Sequence, residues 1–169
     1  MARPARPDDL YRFRIPTDPA LSPDGTRVTF TLQTVGRARD GYRHAVWGVE
    51  ADGSEPARQL AGGGQHDRRA KFSPDGRWLA FLSDRASHAD DESPAPAPAT
   101  GPETDGRAPA SDSAGQDDDG PSTQVHLLPL SGGEARRLTN LPRGVDDFEW
   151  SPDGTRLVVV AADGDPKPR

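Results

Sequence analysis

Phe72-Ser73-Pro74-Asp75-Gly76-Arg77-Trp78-Leu79-Ala80-Phe81 decides the fold, because its Ser-Pro-Asp-Gly core recurs as Ser22-Pro23-Asp24-Gly25 and Ser151-Pro152-Asp153-Gly154. Each copy carries the chemistry of a tight reversal. Pro presets φ at the first central position, Asp can bond nearby backbone amides, and Gly takes the left-handed conformation. Leu21, Phe72 and Trp150 stand before the turns, and Val28, Leu79 and Leu157, then Phe30, Phe81 and Val159, follow at alternate positions. A period of two predicts paired strands with one apolar face. Three copies in register predict a repeat protein built from hairpins.

Working outward from the turns, each repeat gains two more strands. In the first, Arg27-Val28-Thr29-Phe30-Thr31-Leu32 is rich in β-branched and aromatic residues, Ala45-Val46-Trp47-Gly48-Val49 follows a polar connection, and Pro56-Ala57-Arg58-Gln59-Leu60 returns after Asp52-Gly53-Ser54. In the second, Gln124-Val125-His126-Leu127-Leu128-Pro129-Leu130 and Ala135-Arg136-Arg137-Leu138-Thr139 take the same places, so that Val125 matches Val46, His126 matches Trp47 and Leu138 matches Leu60. The third repeat opens with Val145-Asp146-Asp147-Phe148-Glu149-Trp150 and runs through Leu157-Val158-Val159-Val160. Before the first repeat, Leu10-Tyr11-Arg12-Phe13-Arg14-Ile15 alternates apolar and basic residues, which suggests a short edge strand; a single amphipathic turn capped by Asp8 or Asp9 is the alternative.

Four short antiparallel strands in roughly 40 to 45 residues is the period of a propeller blade. The expected fold is therefore all-β: an incomplete β-propeller of about two and a half four-stranded antiparallel blades. The expected divisions are an amino-terminal lead (1–17), a first blade-like repeat and link (18–68), a second repeat (69–145) and a partial third (146–169). Propellers close with about 4 to 8 blades. An open arc would expose strand edges, so the chain is expected to be a fragment of a longer protein.

Composition divides the chain in another way. Only 32% of residues are hydrophobic, and 18 Gly and 18 Pro stand among 169 positions. Residues 87–122, inside the second repeat, contain no Val, Ile, Leu, Met, Phe, Tyr or Trp. They hold nine acids, Asp90, Asp91, Glu92, Glu103, Asp105, Asp112, Asp117, Asp118 and Asp119, against one base, Arg107. Such a segment cannot bury enough surface to offset the entropy of ordering, and disorder is expected there. Since the whole chain carries −6, the remainder is close to neutral, and no basic face for nucleic acid follows. There is no Cys, so disulfides and thiolate chemistry are excluded. Met1-Ala2-Arg3-Pro4-Ala5-Arg6-Pro7-Asp8-Asp9 lacks the apolar core of a signal peptide, and no run is long enough to span a membrane, so a cytoplasmic location and no membrane partner are expected.

No site chemistry emerges from the residues. Gly62-Gly63-Gly64 lacks the Lys-Ser/Thr and helix of a phosphate loop and reads as a link. Asp117-Asp118-Asp119-Gly120 lacks following carboxylates at calcium-loop spacing. The four His, His44, His66, His88 and His126, show no ligand spacing to one another and read as surface or packing residues. Catalytic, cofactor-binding and metal residues are accordingly expected to be none, with no cofactor.

Asp8-Asp9-Leu10-Tyr11-Arg12-Phe13, Asp18-Pro19-Ala20-Leu21-Ser22-Pro23-Asp24-Gly25-Thr26-Arg27-Val28 and Phe72-Ser73-Pro74-Asp75-Gly76-Arg77-Trp78-Leu79-Ala80-Phe81-Leu82-Ser83-Asp84-Arg85 resemble the amino-terminal propeller of prolyl oligopeptidase-family serine peptidases, in the acylaminoacyl-peptidase and dipeptidyl-peptidase branch. The blade motif is shared with TolB-like propellers. The resemblance implies a following α/β-hydrolase domain whose Ser, Asp and His act on short peptides, with the propeller gating access. Its Gly-x-Ser-x-Gly elbow is missing here: Gly120-Pro121-Ser122 begins one, but Gln124 stands at the last Gly position. The chain alone should hydrolyse nothing. The rival reading is a non-enzymatic TolB-like binding scaffold. Family members that grip a substrate amino terminus with propeller carboxylates offer no matching motif for Asp146, Asp147 or Glu149, which read as the solvated start of a strand.

Overall fold

The structure, a computed structural model, describes residues 6–36, 41–62, 66–85 and 122–162. Among the described residues ten strands follow one another: β1 (Arg14–Leu21), β2 (Arg27–Val35), β3 (Tyr42–Glu50), β4 (Arg58–Ala61), β5 (Arg68–Phe72), β6 (Trp78–Ser83), β7 (Gln124–Pro129), β8 (Arg136–Arg137), β9 (Asp147–Trp150) and β10 (Leu157–Val160). They form antiparallel sheets in the order β1-β2-β3-β4, β5-β6-β7-β8 and β9-β10. These are two four-stranded blades and a two-stranded third, as the repeats predict.

The three turns are built alike. Gly25, Gly76 and Gly154 each donate to the carbonyl of the Ser three residues back at 2.9 Å, with φ of 73°, 68° and 68°. Ser22, Ser73 and Ser151 accept the backbone N–H five residues on, at 2.9, 3.0 and 2.9 Å. The Asp bonds the amide two residues on, at 3.0 to 3.1 Å. The Ser hydroxyl thus takes up a backbone donor that the reversal would otherwise leave unpaired, which is why Ser opens every copy.

Register confirms the equivalence of the repeats. Phe30 faces Trp47 in the first blade, and Phe81 faces His126 in the second. Trp47 is opposite Gln59 and His126 opposite Arg137, which brings Leu60 and Leu138 into correspondence. The returning strand of the second blade is only Arg136–Arg137, shorter than the five residues its sequence suggested, and Leu138 beyond it is 48% exposed.

Packing revises the single apolar face read from period two. Leu79 and Phe81 join Val46, Ala61 and Ala70 in a core between the first and second blades. Ala80 and Leu82, on the opposite face of β6, join Val125, Leu127, Val145 and Phe148 in a core between the second and third. The middle blade is therefore covered on both sides, and each large side chain so buried contributes on the order of 1.5–3 kcal/mol. In the first blade Thr29 and Thr31 are the fully buried residues of β2, while Val28 and Phe30 are half-buried. In the third, Val158 and Val160 stand exposed. Side chains at matching positions thus face the same way, and only their neighbours differ.

Two features depart from the expected strands. Pro7–Arg12 is a short 3-10 helix, with Pro in its first turn and the Arg6 N–H donating to Asp9 Oδ2 at 2.8 Å. Asp9 thus caps from inside the turn, and the alternation of Leu10 to Ile15 becomes strand only from Arg14. The edge strands β1 and β5 are bulged between Thr17 and Ala20 and between Arg68 and Lys71. Asp18 and Arg69, inside those bulges, have φ of 50° and 53°. The expected disordered segment 87–122 lies outside the described residues except for Ser122, whose Oγ accepts a bond from Gln124 Nε2 at 2.9 Å. Gly63, Gly64, His88 and Asp117 to Asp119 lie outside them as well.

Candidate functional site

A dense polar cluster lies where β5 and β9 approach across the second seam. Lys71 Nζ donates to the Phe148 carbonyl at 2.6 Å and to Glu149 Oε2 at 2.7 Å, lies 3.8 Å from Asp147 Oδ1, and sits 5.3 Å from the Phe148 ring centre. Arg69 pairs with Asp147 Oδ2 at 3.1 Å and donates to the Asp146 carbonyl at 3.1 Å. Trp150 Nε1 donates to the Lys71 carbonyl at 3.2 Å. Asp147 is held below the ordinary carboxylate range, first by the Phe148 N–H it accepts and further by Arg69 and Lys71. Asp18, Arg69, Lys71 and Asp147 border a depression of about 300 Å³. Asp147 and Glu149, which read as a solvated start of a strand, are half-buried and exposed respectively, and both are paired. Sequence reasoning missed their partners because these lie 78 residues away for Lys71 and Glu149.

The first seam carries a histidine pair. His44, on β3, and His66, just before β5, approach Nδ1 to Nδ1 at 3.1 Å, with ring centres 5.3 Å apart. Their 22-residue separation hid the contact in the sequence, and the packing of the blades brings the two rings together. Burial first, and then the neighbouring His66, lower the His44 pKa. His126 is apart from both, buried and stacked on Phe81 at 5.9 Å, its pKa lowered chiefly by burial. That is the packing role its alignment with Trp47 predicted. Beside Phe81, Arg85 donates to Asp67 Oδ2 at 2.7 Å and lies 5.0 Å from the ring centre; Asp67 is fully buried.

Gln124, the residue that breaks the Gly-x-Ser-x-Gly spacing, is structural. Its side chain accepts from Leu141 N at 3.0 Å and Thr139 Oγ1 at 2.8 Å, and donates to the Leu141 carbonyl at 2.7 Å, bracing β7 against the segment that enters the third blade. Among the described residues no Ser hydroxyl bonds a His ring, no group of three or more His, Asp or Glu could hold a metal ion, and no helix is long and apolar enough to cross a membrane. A second groove, about 210 Å³ between the first two blades, is walled by Leu60, Phe72, Leu128 and Leu130 and edged by Arg27 and Glu50.

No protein-family model matches the chain. It is 31% identical over 160 residues, 94% of its length, to the uncharacterized peptidase YuxL of Bacillus subtilis, of which it spans 19%. Among solved structures it is similar to an acylaminoacyl peptidase of Pyrococcus horikoshii, with a TM-score of 0.58 and 14% identity, over 89% of this chain and 18% of that one. It is similar also to TolB of Acinetobacter baumannii, with a TM-score of 0.56 and 19% identity, over 86% of this chain and 26% of that one. At those identities the solved structures establish the fold. The match to the Bacillus subtilis peptidase, together with the blades described above, bears out the resemblance read from the repeats: the chain is similar to the amino-terminal propeller portion of prolyl oligopeptidase-family peptidases, with a blade shared with TolB-like propellers.

Proposed function

We propose that this chain is the propeller-forming front part of a cytoplasmic serine peptidase that acts on short peptides, and that its complete ring gates access to an α/β-hydrolase domain carrying the catalytic triad. One observation carries the reading: the match to a peptidase runs across both blades and the start of the third, not across a single turn motif. Within this reading the Lys71, Asp147 and Glu149 cluster fixes the angle between neighbouring blades, and catalysis belongs to the hydrolase domain. The test is to label an extract of the source cells with a fluorophosphonate probe, which reacts with active serine hydrolases, and detect this segment with an antibody. A labelled band several times heavier than 18.1 kDa is expected. An unlabelled band at the mass of this chain would overturn the proposal and favour the second reading, a TolB-like binding scaffold, which the comparable fold similarity to TolB supports.

A further inference from the structure

We infer that His44 and His66 form a two-histidine site for a divalent transition-metal ion of the copper, nickel or zinc type, clasping the first blade to the second. The inference is independent of the peptidase reading. Its basis is convergence: the two Nδ1 atoms point at one another across 3.1 Å. In the metal-free pair one ring donates a proton and the other accepts it. To take an ion the donating ring moves that proton to its own Nε2 by exchange with water, so that both neutral rings present an Nδ1 lone pair.

The geometry is close to what an ion needs. Metal–imidazole bonds of about 2.0–2.1 Å at a tetrahedral angle place two nitrogens roughly 3.3–3.4 Å apart. The nitrogens must part by about two or three tenths of an ångström, and each ring must swing roughly 35° off the line joining them so that both lone pairs meet at one ion. Both backbones are anchored, which keeps the two rings within reach of one ion. The His44 carbonyl accepts the Asp67 N–H at 3.2 Å, His44 and His66 form an isolated parallel β-bridge, and the His66 N–H donates to Asp84 Oδ1 at 3.1 Å. The charges acting on His44 are mixed, with Asp18 and Asp84 favouring a cation and Arg68 opposing it. Imidazole donors suit zinc, copper and nickel over calcium or magnesium. No third His, Asp or Glu completes the set among the described residues, so water would fill the remaining positions and the ion would exchange readily.

The test uses the full 169-residue chain with copper(II) sulfate in a non-chelating buffer at neutral pH, read by isothermal titration and by electron paramagnetic resonance. One ion per chain and hyperfine splitting from two nitrogens are expected. His44→Gln and His66→Gln should each weaken binding by roughly tenfold or more and reduce the spectrum to one nitrogen, with circular dichroism reporting that the strands persist. An oxygen-only spectrum on the unaltered chain, which would put the ion on the acidic residues 87–122, overturns the inference without any variant. So does a two-nitrogen site of undiminished affinity in both variants, which would point to His88 and His126.

Discussion

Ser73 Oγ donates to Asp75 Oδ1 at 2.5 Å while accepting the Trp78 N–H at 3.0 Å, so that one hydroxyl joins the turn carboxylate to the first residue of β6. The first and third turns repeat the relay, with Ser22 on Asp24 and Ser151 on Asp153. The Ser hydroxyl first, and then the backbone amide that follows, depress the pKa of Asp24 and Asp75 to about 2 and that of Asp153 in the same direction. Folded values below the unfolded one mean that this stabilisation is complete above about pH 4 and is lost as pH falls through that value towards 2. The melting temperature should therefore fall across this window. The double variant Asp24→Asn, Asp75→Asn should flatten that fall, since an amide keeps an acceptor oxygen but does not titrate. An unchanged slope would refute the assignment.

Phe81 and Val158 both follow a Ser-Pro-Asp-Gly turn in strands of the same kind, yet one is fully buried between two blades and the other is 64% exposed. Phe81→Ala should cost about 3–5 kcal/mol in urea unfolding, because neighbours from two blades cannot collapse into the space. Val158→Thr should stay within about 0.5 kcal/mol. Equal costs would mean that the second blade is not sandwiched as described.

These contrasts show what the sequence could and could not disclose. The turns were legible because Ser, Pro, Asp and Gly act within six residues of one another, and the equivalence of His126 with Trp47 followed from counting along strands. The single apolar face was misread because Ala80 and Leu82 are covered only once the third blade arrives. The bulges at Asp18 and Arg69 carry no Gly to announce them, and Phe13 gives no sign that the helix ends beside it. Of the polar clusters, His44 with His66 and Asp67 with Arg85 join residues 22 and 18 apart, and Lys71 with Glu149 residues 78 apart. Each depends on how blades stack or hairpins close, which local patterning does not encode.

The Lys71 cluster separates main-chain from side-chain anchoring. Glu149 is 69% exposed on its side chain, and an exposed ion pair contributes about 0–1 kcal/mol, so Glu149→Gln should change stability little and less still in high salt. Lys71→Met keeps the stem against Phe148 but strips the Phe148 carbonyl of its donor, and should cost about 1–3 kcal/mol with little salt dependence. If Glu149→Gln proved as costly as Lys71→Met, the ion pair, and not the carbonyl bond, would hold the seam.

The strongest single polar dependence should lie at Asp67 and Arg85. Asp67 is fully buried, its Oδ2 meets Arg85 at 2.7 Å, and its Oδ1 has no partner among the described residues. Arg85→Met would leave a carboxylate without compensation in the interior, and removing one member of a buried pair costs about 3–5 kcal/mol. The double variant Asp67→Leu, Arg85→Met removes both charges, and its cost should be well below that of Arg85→Met alone, because a buried pair seldom outperforms apolar residues of similar size. Arg85 also lies over the Phe81 ring, where a methionine can still pack. A double variant as unstable as the single one in urea unfolding would mean that Arg85 acts through its contact with Phe81 and the bond its Nε donates to Ser83 Oγ at 3.0 Å, with the Asp67 charge incidental.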